Sequence, residues 1–413
     1  MELTAGYKIS EVGLIPNEWD SLLLGKIGDV KMCKRIFKHQ TKKSGDIPFY
    51  KIGTFGGEPD AFISQELFNE YREKFSFPKI GDILISASGT IGRTVVYNGE
   101  PAYFQDSNII WISNNETVVS NEYLYHFYKI TKWAISDGGV IDRLYNSNVK
   151  NKIYISVPSI PEQNFISKAL NDFDELLITL ENLIKKKNNL KQAILQKLLT
   201  GKKRLSGFND EWKLVILKDM ADILKGKGLS KSLITDSGTH NCILYGELFT
   251  IYTQTIQKVV SKTNSNEGLL SVEGDILLPG STTTTGVDLA TASVLPFNNI
   301  ALGGDIIIVR RKSDNYDPVF LAYYLTFAKK REIVELTQGT TIYHLYGKDL
   351  KKLSFKIPSL KEQKAIASIL FDLDSELLEL QIRKKKTIDL KKGLTRTLLT
   401  GKRRLFNKEK IHA

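Results

Sequence analysis

The sequence predicts an α+β chain in which two pseudo-twofold-related globular domains are separated by two long helices that form an antiparallel coiled coil. Three observations predict it: a direct repeat at a constant offset of 200 residues, apolar residues at heptad spacing in both copies, and the same acidic-to-basic polarity along each copy. The expected segments are 1–160 (first globular domain), 161–205 (first helical spacer), 206–360 (second globular domain) and 361–413 (second helical spacer).

The repeat is plainest in the spacers. Residues 158–205 begin PSIPEQ and end LLTGKKRL, and residues 358–405 begin PSLKEQ and end LLTGKRRL. Without a gap, 21 of these 48 positions are identical. Upstream the likeness is weaker and its offset drifts, as loops of unequal length require. Glu18-Trp19 matches Glu211-Trp212, residues 81–84 match 274–277, Asn108 lies opposite Asp305, and Leu144-Tyr145 matches Leu345-Tyr346. A period this long excludes a solenoid and means a duplicated module. The helical parts stayed alike while the globular parts diverged.

In the first globular domain, short β-rich runs fall at 83–86, 94–97, 109–112 and 153–157, and a helix is expected at 121–130. Loop 86–93 reads Ser-Ala-Ser-Gly-Thr-Ile-Gly-Arg between two strands. Its glycines permit close backbone approach, and Ser88, Thr90 and Arg93 can reach phosphates or base edges. A polar hairpin loop is the plainer reading of such a run. A basic run upstream holds Lys31, Lys34, Arg35, Lys38, His39, Lys42 and Lys43 around Phe37. Near 138–145, Asp142, Arg143 and Tyr145 form a third candidate group.

The first spacer starts at Pro161 with Glu162-Gln163 in its first turn and stops at Gly201. About 38 residues make a rod of roughly 57 Å. Ile166, Leu170, Phe173, Leu177, Leu180 and Ile184 form a heptad seam; Lys185, Lys186 and Lys187 interrupt it, and Leu190, Ile194 and Leu198 resume it. Acids occupy the first half (Glu162, Asp172, Asp174, Glu175, Glu181), and residues 185–204 hold eight Lys/Arg and no acid.

The second globular domain repeats the plan, with strand-like runs at 276–278, 306–309 and 353–357 and a helix at 318–329. Its matching loop holds Ser281, Thr282, Thr283 and Thr284; its basic partner run holds Lys225, Lys227 and Lys231; its third group holds Thr340, Thr341, Tyr343 and His344. Of these residues the candidate nucleic-acid contacts are Lys34, Arg35, Lys38, Ser88, Thr90, Arg93, Arg143, Lys225, Lys227, Ser281, Thr282, Thr283, Thr284, Tyr343 and His344. The second spacer carries Ile366, Leu370, Leu373, Leu377, Leu380, Leu394 and Leu398 in its seam, and the same polarity. A parallel pair would align like charges, whereas an antiparallel pair sets each acidic half against a basic one.

Composition agrees with a soluble globular chain: 42% hydrophobic and 25% charged. The net charge of +12 suggests a polyanionic partner, the alternative being a soluble protein that is merely basic. Cys33 and Cys242 are far apart, which excludes a disulfide framework and a cysteine zinc site and fits a reducing cytoplasm. No signal peptide or spanning helix is expected. P-loop, dinucleotide, HExxH and GxSxG motifs are missing, as is the Asn/Asp-Pro-Pro-aromatic tetrapeptide of amino-methyltransferases. Nothing looks catalytic.

The whole chain resembles the specificity subunit of type I restriction–modification enzymes. The residues that carry the resemblance are 13–19 (Gly-Leu-Ile-Pro-Asn-Glu-Trp), 158–163 and 198–205, and their copies 358–363 and 398–405. The resemblance implies two target-recognition domains, each reading one half of a split DNA target through the major groove, with the coiled coil as a ruler. It implies double-stranded DNA, two modification (methyltransferase) subunits and two restriction (translocase/nuclease) subunits as partners, and no membrane. No cofactor is expected in this chain; S-adenosylmethionine, ATP and Mg are expected on the partner subunits. A coiled-coil scaffold that binds proteins without reading DNA is the alternative.

Overall fold

The structure is a computed structural model that describes residues 6–133 and 143–405. The chain forms two compact units. One gathers the residues up to Leu180 with those from Arg383 onward; the other is Glu181–Ile382. The two long helices, Ile160–Leu198 and Leu360–Leu398, therefore each contribute one half to each unit.

In the first unit a four-stranded antiparallel sheet runs in the order Gly28–Lys31, Ile109–Asn114, Ile83–Ser86, Thr94–Val96. Alternation along these strands splits the core in two. Ile83, Ile85, Ile110 and Ile112 face one cluster, which takes in the helix Asn121–Tyr128, Ile166 and Leu170, and Leu398 and Leu399 from the end of the second long helix. Leu84, Ile109 and Trp111 face another, built on Ile47–Tyr50, Phe62–Ile63 and Tyr103–Phe104. In that smaller sheet Ile47–Tyr50 pairs parallel with Tyr103–Phe104.

The second unit repeats the plan. Its sheet order is Ala221–Lys225, Ile306–Arg311, Asp275–Pro279, Ser293–Leu295, and its smaller sheet again contains one parallel pair, His240–Ile243 with Ala301–Leu302. In each unit the first strand after Trp19 or Trp212 pairs antiparallel with the strand that leads into the long helix: Asp20–Leu23 with Tyr154–Val157, and Lys213–Ile216 with Ser354–Ile357. Chain entrance and exit of each α+β domain are thus tied at the root of a helix.

Within each unit the helices run antiparallel. In the first, Glu162 meets Arg404 and Asp174 meets Lys391. In the second, Glu362 meets Arg204, Asp374 meets Lys191 and Glu376 meets Lys187. These are the acidic-to-basic pairings that the charge polarity calls for.

The repeated motifs take a structural meaning here. The Glu162 side chain is 2% exposed and receives a bidentate grip from Arg404, whose Nη2 lies 2.9 Å from Oε2, and an indole N–H from Trp19 at 3.1 Å. Arg204 grips Glu362 in the same way, Nε to Oε1 at 2.6 Å. Gln163 accepts from the Ser120 amide and donates to the Pro158 carbonyl; Gln363 accepts from the Asp317 amide and donates to that of Pro358. The Glu-Gln pair therefore fixes each helix start to the opposite repeat's exit and to its own α+β domain. Gly401 takes φ +68° with the Pro16 ring against it, so a Cβ has no room there.

Two expectations are corrected. Leu190 does not resume the seam; it is 46% exposed, and Lys191 turns inward instead to pair with Asp374. The helix expected at 318–329 breaks after Pro318–Tyr323 into a π-helical turn, Tyr324–Ala328, which brings the Thr326 hydroxyl onto the Ala292 amide at 2.9 Å. The part of the third candidate group at 138–142, including Asp142, lies outside the described residues.

Removing one partner of a buried ion pair strands the other charge. Arg404→Ala is expected to destabilise the first unit by about 3–5 kcal/mol in urea unfolding. The double variant Arg404→Met, Glu162→Gln keeps an acceptor for the Trp19 indole and is expected to recover much of that loss.

His126 is buried beside Lys129, Lys391 and Asp174, and its Nε2 lies 2.8 Å from Asn171 Oδ1. Burial outweighs the Asn171 hydrogen bond and pushes the imidazole down from 6.5 to about 4. Between those values the unfolded chain binds a proton that the folded chain does not. Stability of the first unit is expected to fall as pH drops from about 6.5 to about 4, and His126→Gln to flatten that part of the profile, as read by denaturation across pH.

Candidate nucleic-acid interface

Residues distant in sequence converge at one end of the main sheet in each unit. In the first, the strand Gly28–Lys31 runs out into the basic segment, where Lys34, Arg35, Lys38, Lys42 and Lys43 are all exposed. Arg35 Nε pairs with Asp106 at 2.9 Å, and Lys34 lies over the Phe75 ring. A cleft of about 700 Å³ is lined by Arg35, Lys38, Lys42, Lys43, Lys51 and Asn108, among others. Asp106 and Asp60 line the same cleft and pair with Arg35 and Lys51, so Lys38, Lys42 and Lys43 leave it net positive where a phosphate backbone could lie.

Loop 86–93 and Arg143 meet at the same place. Ser88 bridges to Arg143 through the backbone, Ser88 Oγ donates to Asn108 Oδ1 at 2.9 Å, and Arg143 Nη2 donates to the Ser107 carbonyl at 3.0 Å. Thr90 is exposed at the loop tip. Arg93 is exposed too, and its Nη1 donates to the Phe55 carbonyl at 2.8 Å.

The second unit builds the equivalent arrangement with other side chains. Ser281–Thr282 pairs antiparallel with Tyr343–His344, Ser281 Oγ donates to Asp305 Oδ2 at 3.1 Å, and Lys225 Nζ reaches Asp305 Oδ1 at 3.1 Å. Ser281 and Thr282 are buried at 5% and 2%; Thr283, Thr284, Lys225 and Lys227 are exposed, and Tyr343 and His344 are half-buried. The neighbouring cleft, about 710 Å³, is lined by Thr282, Thr283 and Thr284, Lys231 and the apolar Leu229 and Ile251. It carries far less charge than the first.

Two backbone bonds recur in both groups. Ala87 N donates to Asn108 O and Leu144 N to Ala87 O; Gly280 N donates to Asp305 O and Leu345 N to Gly280 O. Sequence reasoning singled out Ser88, Arg143, Ser281 and His344 but missed the centre of each group, Asn108 and Asp305. The Asn108–Asp305 correspondence was already visible in the repeat. Cys33 and Cys242 are buried, and burial pushes their thiols up to about 12 and about 11, so neither offers a thiolate near neutral pH. Among the described residues no group of three or more His, Cys, Asp or Glu could hold a metal ion.

The family description "Type I restriction modification DNA specificity domain" matches twice, over residues 16–192 and 209–390. The chain belongs to the type I restriction–modification specificity family. It carries two of the family's DNA specificity domains, and its role is recognition, not catalysis. Among its relatives, a type I restriction enzyme specificity subunit of Haemophilus influenzae is 65% identical over 153 residues, which is 37% of this chain and 40% of that protein. The MjaX specificity subunit of Methanocaldococcus jannaschii is 26% identical over 438 aligned positions, 97% of both chains. A type I restriction–modification S subunit from M. genitalium shares the fold, with a TM-score of 0.62 at 15% identity over 97% of this chain and 98% of that one.

If the specificity domain's first cleft holds phosphates, exposed Lys38 supplies affinity without sequence choice. Lys38→Ala is expected to weaken binding to all duplexes alike and to lower the slope of log K against log salt by about 1, measured by anisotropy titration at several salt concentrations.

Proposed function

We propose that this chain is the target reader of a type I restriction–modification assembly, with each α+β domain reading one half of a split duplex site. One observation carries the reading: the two units build the same hydrogen-bonded group at the same end of the sheet, yet equip it differently. Asn108 with Arg143 stands in one, Asp305 with His344 and Lys225 in the other. A fixed frame with unlike side chains suits two unlike half-sites.

Two modification subunits dock on the helical spacers and two restriction subunits join them; S-adenosylmethionine, ATP and Mg sit on those partners. The assembly works in the cytoplasm. No described helix is long and apolar enough to cross a membrane.

The test is a domain exchange. Residues 210–357 are replaced by the corresponding domain of a relative, the chain is assembled with its modification subunits, and the methylated motif is mapped by long-read sequencing. One half of the motif is expected to change and the other to stay. Simultaneous change of both halves overturns the modular reading. Absence of any sequence preference, with little salt dependence of binding, supports a protein-binding scaffold instead.

A further inference from the structure

We propose that the Lys225–Asp305 pair reads one C·G base pair in the half-site of the second unit. The inference rests on the target-reading role proposed above. Lys225 ends the strand Ala221–Lys225, and Asp305 immediately precedes the neighbouring strand Ile306–Arg311. The register sets Lys225 opposite Ile307, so both side chains emerge at the same end of the sheet. Their charged tips lie 3.1 Å apart and are open to solvent, at 72% and 43% exposure. Their roots are fixed: Ser281 Oγ holds the second carboxylate oxygen at 3.1 Å, and the Asp305 carbonyl accepts from Gly280 N at 2.6 Å.

A surface ion pair is ordinarily explained by nothing more than local charge balance. Two observations favour more here. First, the fold does not require a carboxylate at this position. The first unit builds the corresponding group, with two equivalent backbone bonds and the equivalent serine donor Ser88, around the neutral amide of Asn108. Second, Asp305 takes φ +59°, a left-handed conformation that Asp tolerates better than most residues and that directs this short side chain from a fixed point. On a surface that meets a polyanion, an exposed acid opposes binding unless it gains a specific donor.

The chemistry of the pair selects that donor. A carboxylate only accepts and an ammonium only donates. In the major groove a C·G pair sets the cytosine N4 amine beside two neighbouring acceptors, guanine O6 and N7. Asp305 would accept from N4 while Lys225 donates to O6 and N7. A G·C or T·A pair in the same orientation sets an acceptor against the carboxylate. On A·T the adenine amine lies between two separated acceptors, and the ammonium reaches only one.

The experiment uses the full chain assembled with its modification subunits and maps the methylated motif by long-read sequencing for the wild type, Asp305→Asn and Lys225→Met. Asn keeps the acceptor for Ser281, as Asn108 does in the first unit, so the frame is retained. Each variant is expected to lower the preference for C·G at one position of one half-site by roughly 5- to 150-fold, leaving the other half as sharp as before. That untouched half reports within the same molecules that the protein is folded and assembled. An unchanged motif overturns the inference alone. So does an effect centred on an A·T position, or a uniform loss across the second half, which marks a structural ion pair. A wild type with no split motif removes the underlying reading and the inference with it.

Discussion

Each unit depends on a buried carboxylate gripped by a guanidinium from the other repeat. Glu162 opens the first long helix, and Arg404 follows the end of the second; Glu362 and Arg204 make the reciprocal grip. The consequence is topological. The first unit's core includes Leu398 and Leu399, and the second unit's core includes Leu195, Leu198 and Leu199, so neither repeat completes a core from its own residues. Burying such a pair costs desolvation that its attraction repays only with good geometry. Both pairs are bidentate, and Arg404 and Arg204 each also lie over the indole of Trp19 or Trp212. Their contribution is best understood as orientation: a parallel pairing would set carboxylate beside carboxylate and guanidinium beside guanidinium.

That constraint explains which parts of the repeat resemble each other. The Pro-Ser-x-x-Glu-Gln and Leu-Leu-Thr-Gly-Lys-x-Arg-Leu segments supply the grip, the tie of each Gln to its α+β domain and the left-handed glycine that packs on the tryptophan. Each of these needs a particular side chain. The reading surfaces need only a frame, and main-chain bonds supply it. Ala87–Asn108 and Gly280–Asp305 form the same amide-to-carbonyl bond whatever side chains are attached. Side chains at the sheet ends could therefore diverge without disturbing the fold.

Much of this was legible in the sequence because it is periodic or repeated. The heptads, the charge polarity and the strand runs at 83–86, 109–112, 276–278 and 306–309 correspond to elements of the structure. What was not legible depends on tertiary placement. Leu190 satisfies the apolar pattern yet faces solvent, because Lys191 and Asp374 together fill the inward position. The π-helical turn at Tyr324–Ala328 answers a hydrogen bond from a strand edge more than thirty residues away in sequence. At the candidate interface, sequence pointed to glycine-rich and basic runs but not to Asn108 and Asp305, which sit alone before apolar strands and gain their meaning from Ser88 and Ser281.

The polar centre of the helix pairing carries the argument for antiparallel order beyond surface charge. Lys191 and Asp374 are nearly buried in the second unit, and Lys391 with Asp174 takes the equivalent place in the first. Beside them His126 and Tyr323 occupy corresponding positions: His126 pairs with Asn171, and the Tyr323 hydroxyl donates to Asp374. A purely apolar seam would permit either direction and several registers. A partly buried, inward lysine is favoured by a carboxylate at its own level, so the two Lys–Asp pairs disfavour parallel order, in which lysine would meet lysine. A shift of the helices by one turn would likewise leave four partly buried charges unmatched. Register, and with it the place where each α+β domain joins its helix, is set by polar residues inside an otherwise apolar contact.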